Sequence, residues 1–203
     1  MQSRRISVTD LSRYMGRSGD LGRRHFRLLR GVEGIQVHQR MQINRGENYQ
    51  AEFSIRSTWE HAGETLEIFG RIDGVETTGE GVVVEELKTS RDYEEALPLD
   101  HSVHVLQAEL YAWLWQREQG LLPQIRLEYV HPDPEIATRR IEWQPEAEAL
   151  AEKIEGVLQQ WMQEKLAHEA WMRERNARLK KLQFPFSEMR PGQQGLMDEV
   201  KST

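Results

Sequence analysis

Hydrophobic and polar residues alternate along five segments of the chain in the manner of buried or half-buried β-strands. The third segment is rich in valine, a β-branched residue that favours strands. A turn over 74–79 separates the second segment from the third, so we expect these two to form an antiparallel hairpin. The five segments are Tyr49–Ile55, Thr65–Asp73, Gly81–Lys88, Gln124–His131 and Thr138–Trp143.

Other segments repeat hydrophobic residues every three or four positions, the spacing of a helix that buries one face. Residues 9–42 are predicted to form two helices, the first of them capped by Thr9 or Asp10. His101–Gln119 has the same spacing, and a long C-terminal helical region is predicted after Pro145. This order of helices and strands predicts an α/β protein but does not indicate a function.

The composition is typical of one folded domain of ordinary size, with 203 residues, 38% hydrophobic and 30% charged. The absence of cysteine excludes disulfides, zinc fingers, iron–sulfur clusters and thiol nucleophiles, and it is consistent with a reducing cytosol. No stretch approaches the roughly 18 apolar residues of a spanning helix, and the first residues lack the apolar core of a secretory signal. We therefore expect a cytoplasmic protein with no membrane partner.

Positive charge is concentrated at the start of the chain. Residues 1–45 carry ten arginines, no lysine and three acidic residues, a net charge of +7, which leaves −13 for the rest of a chain whose total is −6. Clustered arginines form forked hydrogen bonds to phosphate and release counterions from nucleic acid. The asymmetry indicates either a surface that faces DNA, confined to one side of the protein, or a solvated helix face.

The stretch 70–90 contains the residues best suited to chemistry. Side chains two apart on a strand project from one face, so Glu86 and Lys88 point together and Glu85 points to the opposite face. Pairing with the preceding strand would bring Asp73 near them. Two carboxylates about 4 Å apart repel by roughly 4 kcal/mol at an effective dielectric near 20, so either one of them stays protonated or a cation lies between them. Oxygen ligands without cysteine predict Mg²⁺ or Mn²⁺; the alternative is an exposed Glu86–Lys88 ion pair of little energetic value.

The order and spacing of these residues resemble the PD-(D/E)XK nuclease superfamily and, within it, the RecB-like branch. Asp73 is followed after twelve intervening residues by the triplet Glu86-Leu87-Lys88. The segment 34–38, which ends in His38, resembles the G-x-x-x-H element of that branch. The segment 107–111, on the helix after the triplet, resembles its Q-x-x-x-Y element. The flanking sequences Gly70-Arg71-Ile72-Asp73-Gly74 and Lys88-Thr89-Ser90 are similar as well.

The resemblance implies a restriction-endonuclease-like core, in which a mixed central β-sheet is flanked by helices, with a long C-terminal helical region. It implies that Lys88 is the catalytic base or stabilises charge at the scissile phosphate. The implied ligands of Mg²⁺ or Mn²⁺ are His38, Asp73, Glu86 and the backbone carbonyl of Leu87. The implied substrate-binding residues are Gln107, Tyr111 and Arg71. The histidine could instead be an ordinary surface or core residue, and the tyrosine could simply pack in the core.

Many RecB-like nucleases carry four cysteines for an iron–sulfur cluster, and this chain has none. The chain therefore has no such cluster, and we expect no close match to CRISPR-associated or AddB-type members.

The last residues resemble the beginning of a different class of protein. Phe184-Pro185-Phe186, followed by Arg190 and Gln193, is similar to the opening F-P-Y…R-x-x-Q of DinG/XPD-type helicases. The chain contains no Walker A motif, so it is not itself the motor. We predict a nuclease domain over 1–183 and a linker or the start of a helicase domain over 184–203. The alternative for the last segment is a disordered tail.

The sequence therefore predicts a divalent-metal-dependent DNA nuclease that hydrolyses phosphodiester bonds, with a role in DNA repair. Single-stranded or branched DNA is the expected substrate, delivered by a helicase in the same chain or a separate one. Two alternatives stay open: a catalytically silent DNA-binding or docking module of the same fold, and a protein-interaction domain that uses the C-terminal helical region.

Overall fold

The computed structural model describes residues 4–16, 32–90, 103–181 and 192–202. Within these ranges helices and strands follow each other in the order that the sequence pattern predicts, with an additional strand at the start and an additional helix at the end. The strands are β1 (Arg4–Ser7), β2 (Tyr49–His61), β3 (Glu64–Thr78), β4 (Gly81–Thr89), β5 (Gln124–Val130) and β6 (Arg139–Trp143). The helices are α1 (Val8–Met15), α2 (Val32–Ile43), α3 (Val103–Gln119), α4 (Ala147–Leu179) and α5 (Gln193–Ser202).

Strand β3 is the centre of a mixed sheet. It pairs antiparallel with β2 over residues 64–76, so β2 occupies one of its edges along nearly the whole length. On the other edge it pairs parallel with β1 over 66–69 and antiparallel with β4 over 74–78. Residues 70–73 therefore face a gap between β1 and β4 in the sheet as described. Beyond β4 the sheet continues with β5, which is parallel to β4, and with β6, which is antiparallel to β5.

Helices α2 and α3 cover opposite faces of β4. Val37 of α2 packs against Leu87 and Val130, which are buried on one face. Gln107 of α3 contacts Lys88, whose side chain projects from the other face. Neighbouring residues of a strand point to opposite faces, so this strand presents side chains to both helices. The prediction of a mixed sheet flanked by helices is confirmed.

The start of the first helix differs from the prediction. Ser7 is the cap, and its hydroxyl accepts a hydrogen bond of 3.0 Å from the backbone amide of Asp10. Thr9 and Asp10 both lie within the first turn of α1. The prediction that one of them caps the helix is therefore wrong. The short strand β1 precedes the helix directly, and four residues are too few to show a recognisable alternation.

The predicted hairpin of β3 and β4 is present, but its turn lies at residues 79–80 rather than over 74–79. Gly74 belongs to β3, where a glycine is needed for close packing rather than for a turn. A Cβ atom at Gly74 would lie 1.8 Å from the hydroxyl oxygen of Tyr49. The missing side chain thus lets Tyr49 cross β3 toward β4.

The chain divides into two compact units, Met1–Val157 and Leu158–Thr203. The first unit contains the sheet, and the second contains the C-terminal part of α4 together with α5. In the second unit the side chain of Trp171 is exposed and lies against His168 and Arg175. The predicted boundary between 183 and 184 lies outside the described residues. None of the described helices is both long enough and apolar enough to cross a membrane.

Candidate active site

A pocket of about 550 Å³ opens at the gap between β1 and β4. Elements β1, α1, α2, β2, β3, β4 and α3 contribute to its wall. All eight residues that the sequence assigned to the site line this one pocket: His38, Arg71, Asp73, Glu86, Leu87, Lys88, Gln107 and Tyr111.

Asp73 lies where β3 and β4 separate. The ladder between these strands ends at the pair of Gly74 with Glu85, so the next amides of β4 need another acceptor on that side. Oδ2 of Asp73 accepts a hydrogen bond of 2.8 Å from the amide of Leu87. Its other oxygen, Oδ1, lies 3.7 Å from Nδ1 of His38. The carboxylate is thus held by β4 on one side and approached by α2 on the other.

Glu86, Lys88 and Gln107 contact one another in a closed triangle. The ammonium of Lys88 donates to Oε1 of Glu86 and, at 3.0 Å, to Oε1 of Gln107. Nε2 of Gln107 donates to Oε1 of Glu86 at 2.7 Å. The spacing of two residues on a strand and the packing of α3 bring these three groups together. The amide of Gln107 therefore orients both charged side chains.

The second carboxylate oxygen of Glu86, Oε2, is buried and has no hydrogen-bond partner among the described residues. A buried polar atom without a partner is costly, and natural structures contain few of them. Burial raises the pKa of Glu86; Lys88 opposes this effect and Asp73 adds to it. A cation at Oε2 would remove the cost of leaving this oxygen unpaired.

The part of the chain that the structure describes contains no group of three or more His, Asp or Glu side chains already arranged to hold a metal ion. His38 and Asp73 contact each other, whereas Glu86 contacts Lys88. The donors nevertheless fit Mg²⁺ or Mn²⁺, since they are carboxylate oxygens and one imidazole without thiolate, and Oε2 of Glu86 is an open ligand.

His38 is electrostatically coupled to this pair of carboxylates. Burial lowers its pKa, but the contact with Asp73 outweighs that effect, so that the net pKa of His38 is raised above 6.5. An imidazole in this setting binds either a proton or a metal ion, and metal binding would release the proton.

Tyr111 and Arg71 form another part of the wall. Tyr111 is only 2% exposed, and a Cβ atom at Gly70 would lie 2.6 Å from its ring. Burial raises the pKa of Tyr111, so its hydroxyl stays protonated and can donate a hydrogen bond. Arg71 has a side chain that is 68% exposed, and its Nε lies 2.5 Å from a carboxylate oxygen of Glu52. Tyr111 therefore both packs in the core and lines the pocket.

A second cluster of charges, which the sequence analysis did not identify, is buried on the opposite face of β4 and β5. Arg45 contacts both Glu85 and Glu128, and the hydroxyl of Tyr49 donates to Glu85 at 2.6 Å. Arg140 contacts Glu128 from the neighbouring strand at 3.0 Å. The available signal was the charge on the second face of the two strands, with Glu85 in the valine-rich β4 and Arg126 and Glu128 in β5. Glu85 points away from Glu86, as predicted.

The arginine-rich start of the chain is used in part for these internal contacts. Residues 17–31, which contain five of the ten arginines, lie outside the described residues. Four of the others have partners within the protein, so part of this positive charge is used internally, and the DNA-facing surface stays a prediction. These contacts are Arg4 with Glu64, Arg5 with Glu67, Arg40 with the carbonyls of His131 and Pro132, and Arg45 with Glu85 and Glu128.

Residues 6–177 match the PD-(D/E)XK nuclease superfamily. The chain belongs to this superfamily. PD-(D/E)XK nucleases use divalent metals, generally Mg²⁺ or Mn²⁺, in agreement with the donors in the pocket. The match includes β2 to β6 and the eight pocket residues.

One relative in sequence is the CRISPR-associated exonuclease Cas4 of Saccharolobus solfataricus, which is 34% identical to this chain over 90 residues. That match covers 42% of this chain and 40% of Cas4. The chain thus matches well under half of the length of this relative. The similarity runs against our expectation, from the missing cysteines, of no close match to CRISPR-associated members.

Two solved structures have a similar fold. The structure named SSO0001 has a TM-score of 0.50 and 22% identity, with 78% of this chain and 77% of that one covered. The alkaline exonuclease LHK-Exo from Laribacter hongkongensis has a TM-score of 0.51 and 12% identity, with 86% of this chain and 94% of that one covered. These likenesses confirm the predicted restriction-endonuclease-like fold of the PD-(D/E)XK chain.

Proposed function

We propose that this protein is a divalent-metal-dependent nuclease that hydrolyses phosphodiester bonds in DNA. The observation that carries the proposal is the buried Oε2 of Glu86, which has no partner among the described residues and shares a pocket with Asp73, His38 and the ammonium of Lys88. Membership of the PD-(D/E)XK superfamily supports the same reaction.

The metal would be held by His38, Asp73, Glu86 and the backbone carbonyl of Leu87. A bound Mg²⁺ or Mn²⁺ supplies a Lewis acid for the phosphate and lowers the pKa of a bound water. Asp73 keeps its orientation because the amide of Leu87 holds one of its oxygens. One hydrogen bond thus positions two of the proposed ligands, Asp73 on β3 and Leu87 on β4, relative to each other.

Lys88 acts on the phosphate rather than on the metal. Its ammonium is held by Glu86 and Gln107, which removes the freedom of a four-carbon side chain. A fixed positive charge in a partly buried site stabilises the negative charge that develops on the phosphate oxygens. Gln107 contributes by holding this ammonium in place.

Arg71 and Tyr111 contact the substrate in this proposal. Arg71 is exposed at the pocket and paired with Glu52 on the surface, where ion pairs are weak, so a DNA phosphate can replace that partner. The protonated hydroxyl of Tyr111 is a donor in the wall of the same pocket. These contacts would bind the DNA backbone without reading its sequence.

Single-stranded or branched DNA is the substrate that we propose, and a helicase in the same or a separate chain is the partner. The similarity of residues 184–193 to the start of DinG/XPD-type helicases supports the partner. The names of Cas4 and LHK-Exo support exonuclease action, and LHK-Exo has been solved with dAMP, a deoxyribonucleotide.

A catalytically silent DNA-binding module of the same fold is the second candidate. The observation in its favour is the contact between Lys88 and Glu86, because an ammonium already neutralises one carboxylate oxygen where an active enzyme would need a metal ion.

Labelled single-stranded, duplex and flapped oligonucleotides, incubated with Mn²⁺, Mg²⁺ or a chelator, distinguish the two candidates. We expect cleavage with metal and none with chelator. The cleavage rate of Glu86→Gln should be lower on the order of 10³-fold. Glu109→Gln is the matched control, since Glu109 lies on α3 and pairs with Lys153. DNA binding without cleavage under either metal would support the silent module, and an unchanged rate in Glu86→Gln would refute the proposed site.

A further inference from the structure

Strand β2 omits one pair directly opposite Asp73. Ala51 pairs with Gly74 and Phe53 pairs with Ile72, but Glu52 and Asp73 between them do not pair in the described sheet. The backbone of Glu52 has a φ of 57°, in the left-handed region that residues with a side chain rarely adopt. Such conformations cost free energy, persist where the surrounding structure holds them, and are most frequent at functional sites.

The side chain of Gln42 contacts both residues of the missing pair. Its Nε2 donates a hydrogen bond of 2.9 Å to the backbone carbonyl of Asp73. The same nitrogen donates to Oε1 of Glu52 at 3.2 Å. A side-chain amide has two hydrogens on its nitrogen, so one group bridges the two strand residues that do not pair with each other.

Gln42 lies one helical turn after His38 on α2, so both residues are on the same side of the helix. The helix therefore approaches Asp73 twice. His38 lies 3.7 Å from the carboxylate, and Gln42 binds the carbonyl of the same residue. Two contacts one turn apart determine how far the helix can slide along β3 or rotate against it.

We propose that Gln42 is a positioning residue of the candidate metal site, which sets the placement of His38 relative to Asp73 by binding the backbone of Asp73. This inference rests on the proposed function, because His38 and Asp73 are ligands only if the pocket binds a cation. Gln42 itself touches neither metal nor substrate. Residues that orient metal ligands typically change metal affinity by 10- to 100-fold when they are replaced.

Gln42→Met tests the role, because methionine has nearly the same length and volume but no hydrogen-bond donor. Gln39→Met is the matched control, since Gln39 is on the same helix and its side chain is exposed. Mn²⁺ binding to each full chain is measured without DNA, by the loss of the free Mn²⁺ signal in electron paramagnetic resonance. Thermal unfolding in chelator reports the stability of each chain.

We expect Mn²⁺ to bind Gln42→Met on the order of tenfold more weakly and Gln39→Met with unchanged affinity. The Mn²⁺ concentration for half-maximal DNA cleavage should rise by the same factor, while the rate at saturating Mn²⁺ changes less. A lower unfolding temperature with unchanged Mn²⁺ affinity would show that Gln42 is merely structural and would overturn the inference.

Asp73→Ala, measured in parallel, separates this inference from the proposed function. If Asp73→Ala binds Mn²⁺ as tightly as the unmodified chain, the metal site itself is wrong, and the role of Gln42 fails with it. If Asp73→Ala loses Mn²⁺ but Gln42→Met equals Gln39→Met, only the positioning role is wrong.

Discussion

Glu85 and Glu86 are neighbours in β4, yet their carboxylates lie on opposite faces of the sheet and contact different cations. Glu85 is fully buried and contacts Arg45. Glu86 is 2% exposed and contacts Lys88. Glu85 belongs to a network of ion pairs that connects β4, β5 and β6. Glu86 lines the pocket on the other face. Substitutions on the two faces should therefore have separable effects on stability and on cleavage.

Arg45→Ala should lower stability strongly. Arg45 contacts two buried carboxylates, of Glu85 and Glu128, and its removal leaves them with fewer positive partners. Breaking a buried ion pair from one side costs about 3 kcal/mol or more. Arg5→Ala is the control, because the pair of Arg5 with Glu67 is largely exposed and should contribute less than about 1 kcal/mol. Equal free energies of unfolding for both variants in urea would contradict this prediction.

Lys88→Met should slow cleavage strongly. The substitution keeps the packing of the aliphatic chain but removes the ammonium that we assign to the phosphate. We expect the cleavage rate to fall on the order of 10³-fold. Lys153→Met serves for comparison, since Lys153 is half exposed and pairs with Glu109 outside the pocket. Rapid cleavage by Lys88→Met would remove Lys88 from the proposed mechanism.

Gly70→Ala should destabilise the protein through a clash with Tyr111. The added Cβ atom would lie 2.6 Å from the tyrosine ring, which is buried and has little room to move. Overpacking of this kind costs about 1–3 kcal/mol. Gly79→Ala should change the free energy of unfolding by less than about 0.5 kcal/mol, since a Cβ atom there meets no atom within 4 Å. If the clash is the cause, the loss from Gly70→Ala should shrink in a Tyr111→Leu background.

His104 should make the protein less stable as the pH falls. Its Nδ1 lies 3.1 Å from the hydroxyl of Tyr129, and burial, together with the charge of Lys88, lowers the pKa of His104 to about 3. An unfolded histidine titrates near 6.5, so below that pH the unfolded chain binds a proton that the folded chain does not. Between pH 7 and pH 5 the free energy of unfolding should therefore fall by about 2 kcal/mol.

His104→Asn tests this by removing the titrating group while keeping a polar atom near Tyr129. In urea unfolding at pH 7, 6 and 5, the variant should lose about 2 kcal/mol less than the unmodified chain. If the free energy of unfolding falls by the same amount in both chains between pH 7 and pH 5, His104 is not the cause of the pH dependence.

Local spacing explains what the sequence could predict. Glu86 and Lys88 share a face because a strand repeats every two residues, and Gln107 and Tyr111 share one because a helix repeats every 3.6. Such patterns identified β3, β4 and α3, whereas the resemblance to the PD-(D/E)XK superfamily supplied the set of eight residues that line one pocket. Their roles in binding and catalysis stay predictions until the variants are measured.

Long-range register explains what the sequence could not predict. Glu128 approaches Glu85 only because β4 and β5 pair in parallel with Glu85 opposite Arg126. The contact of Gln42 with Asp73 depends on the packing of α2 across β3, and no spacing along the chain encodes it. The sequence predicts a turn that begins at Gly74, but a glycine is needed there because the ring of Tyr49 approaches too closely for a side chain.

The first strand closes the pocket on one side, and this has a consequence for the order of folding. Ile6 of β1 pairs in parallel with Ile68, 62 residues further along the chain. Pairings between such distant residues form slowly, because a long loop must close before any contact stabilises it. Helical content should therefore return early when the denatured chain is diluted from urea, and the wall that β1 gives to the pocket should form late.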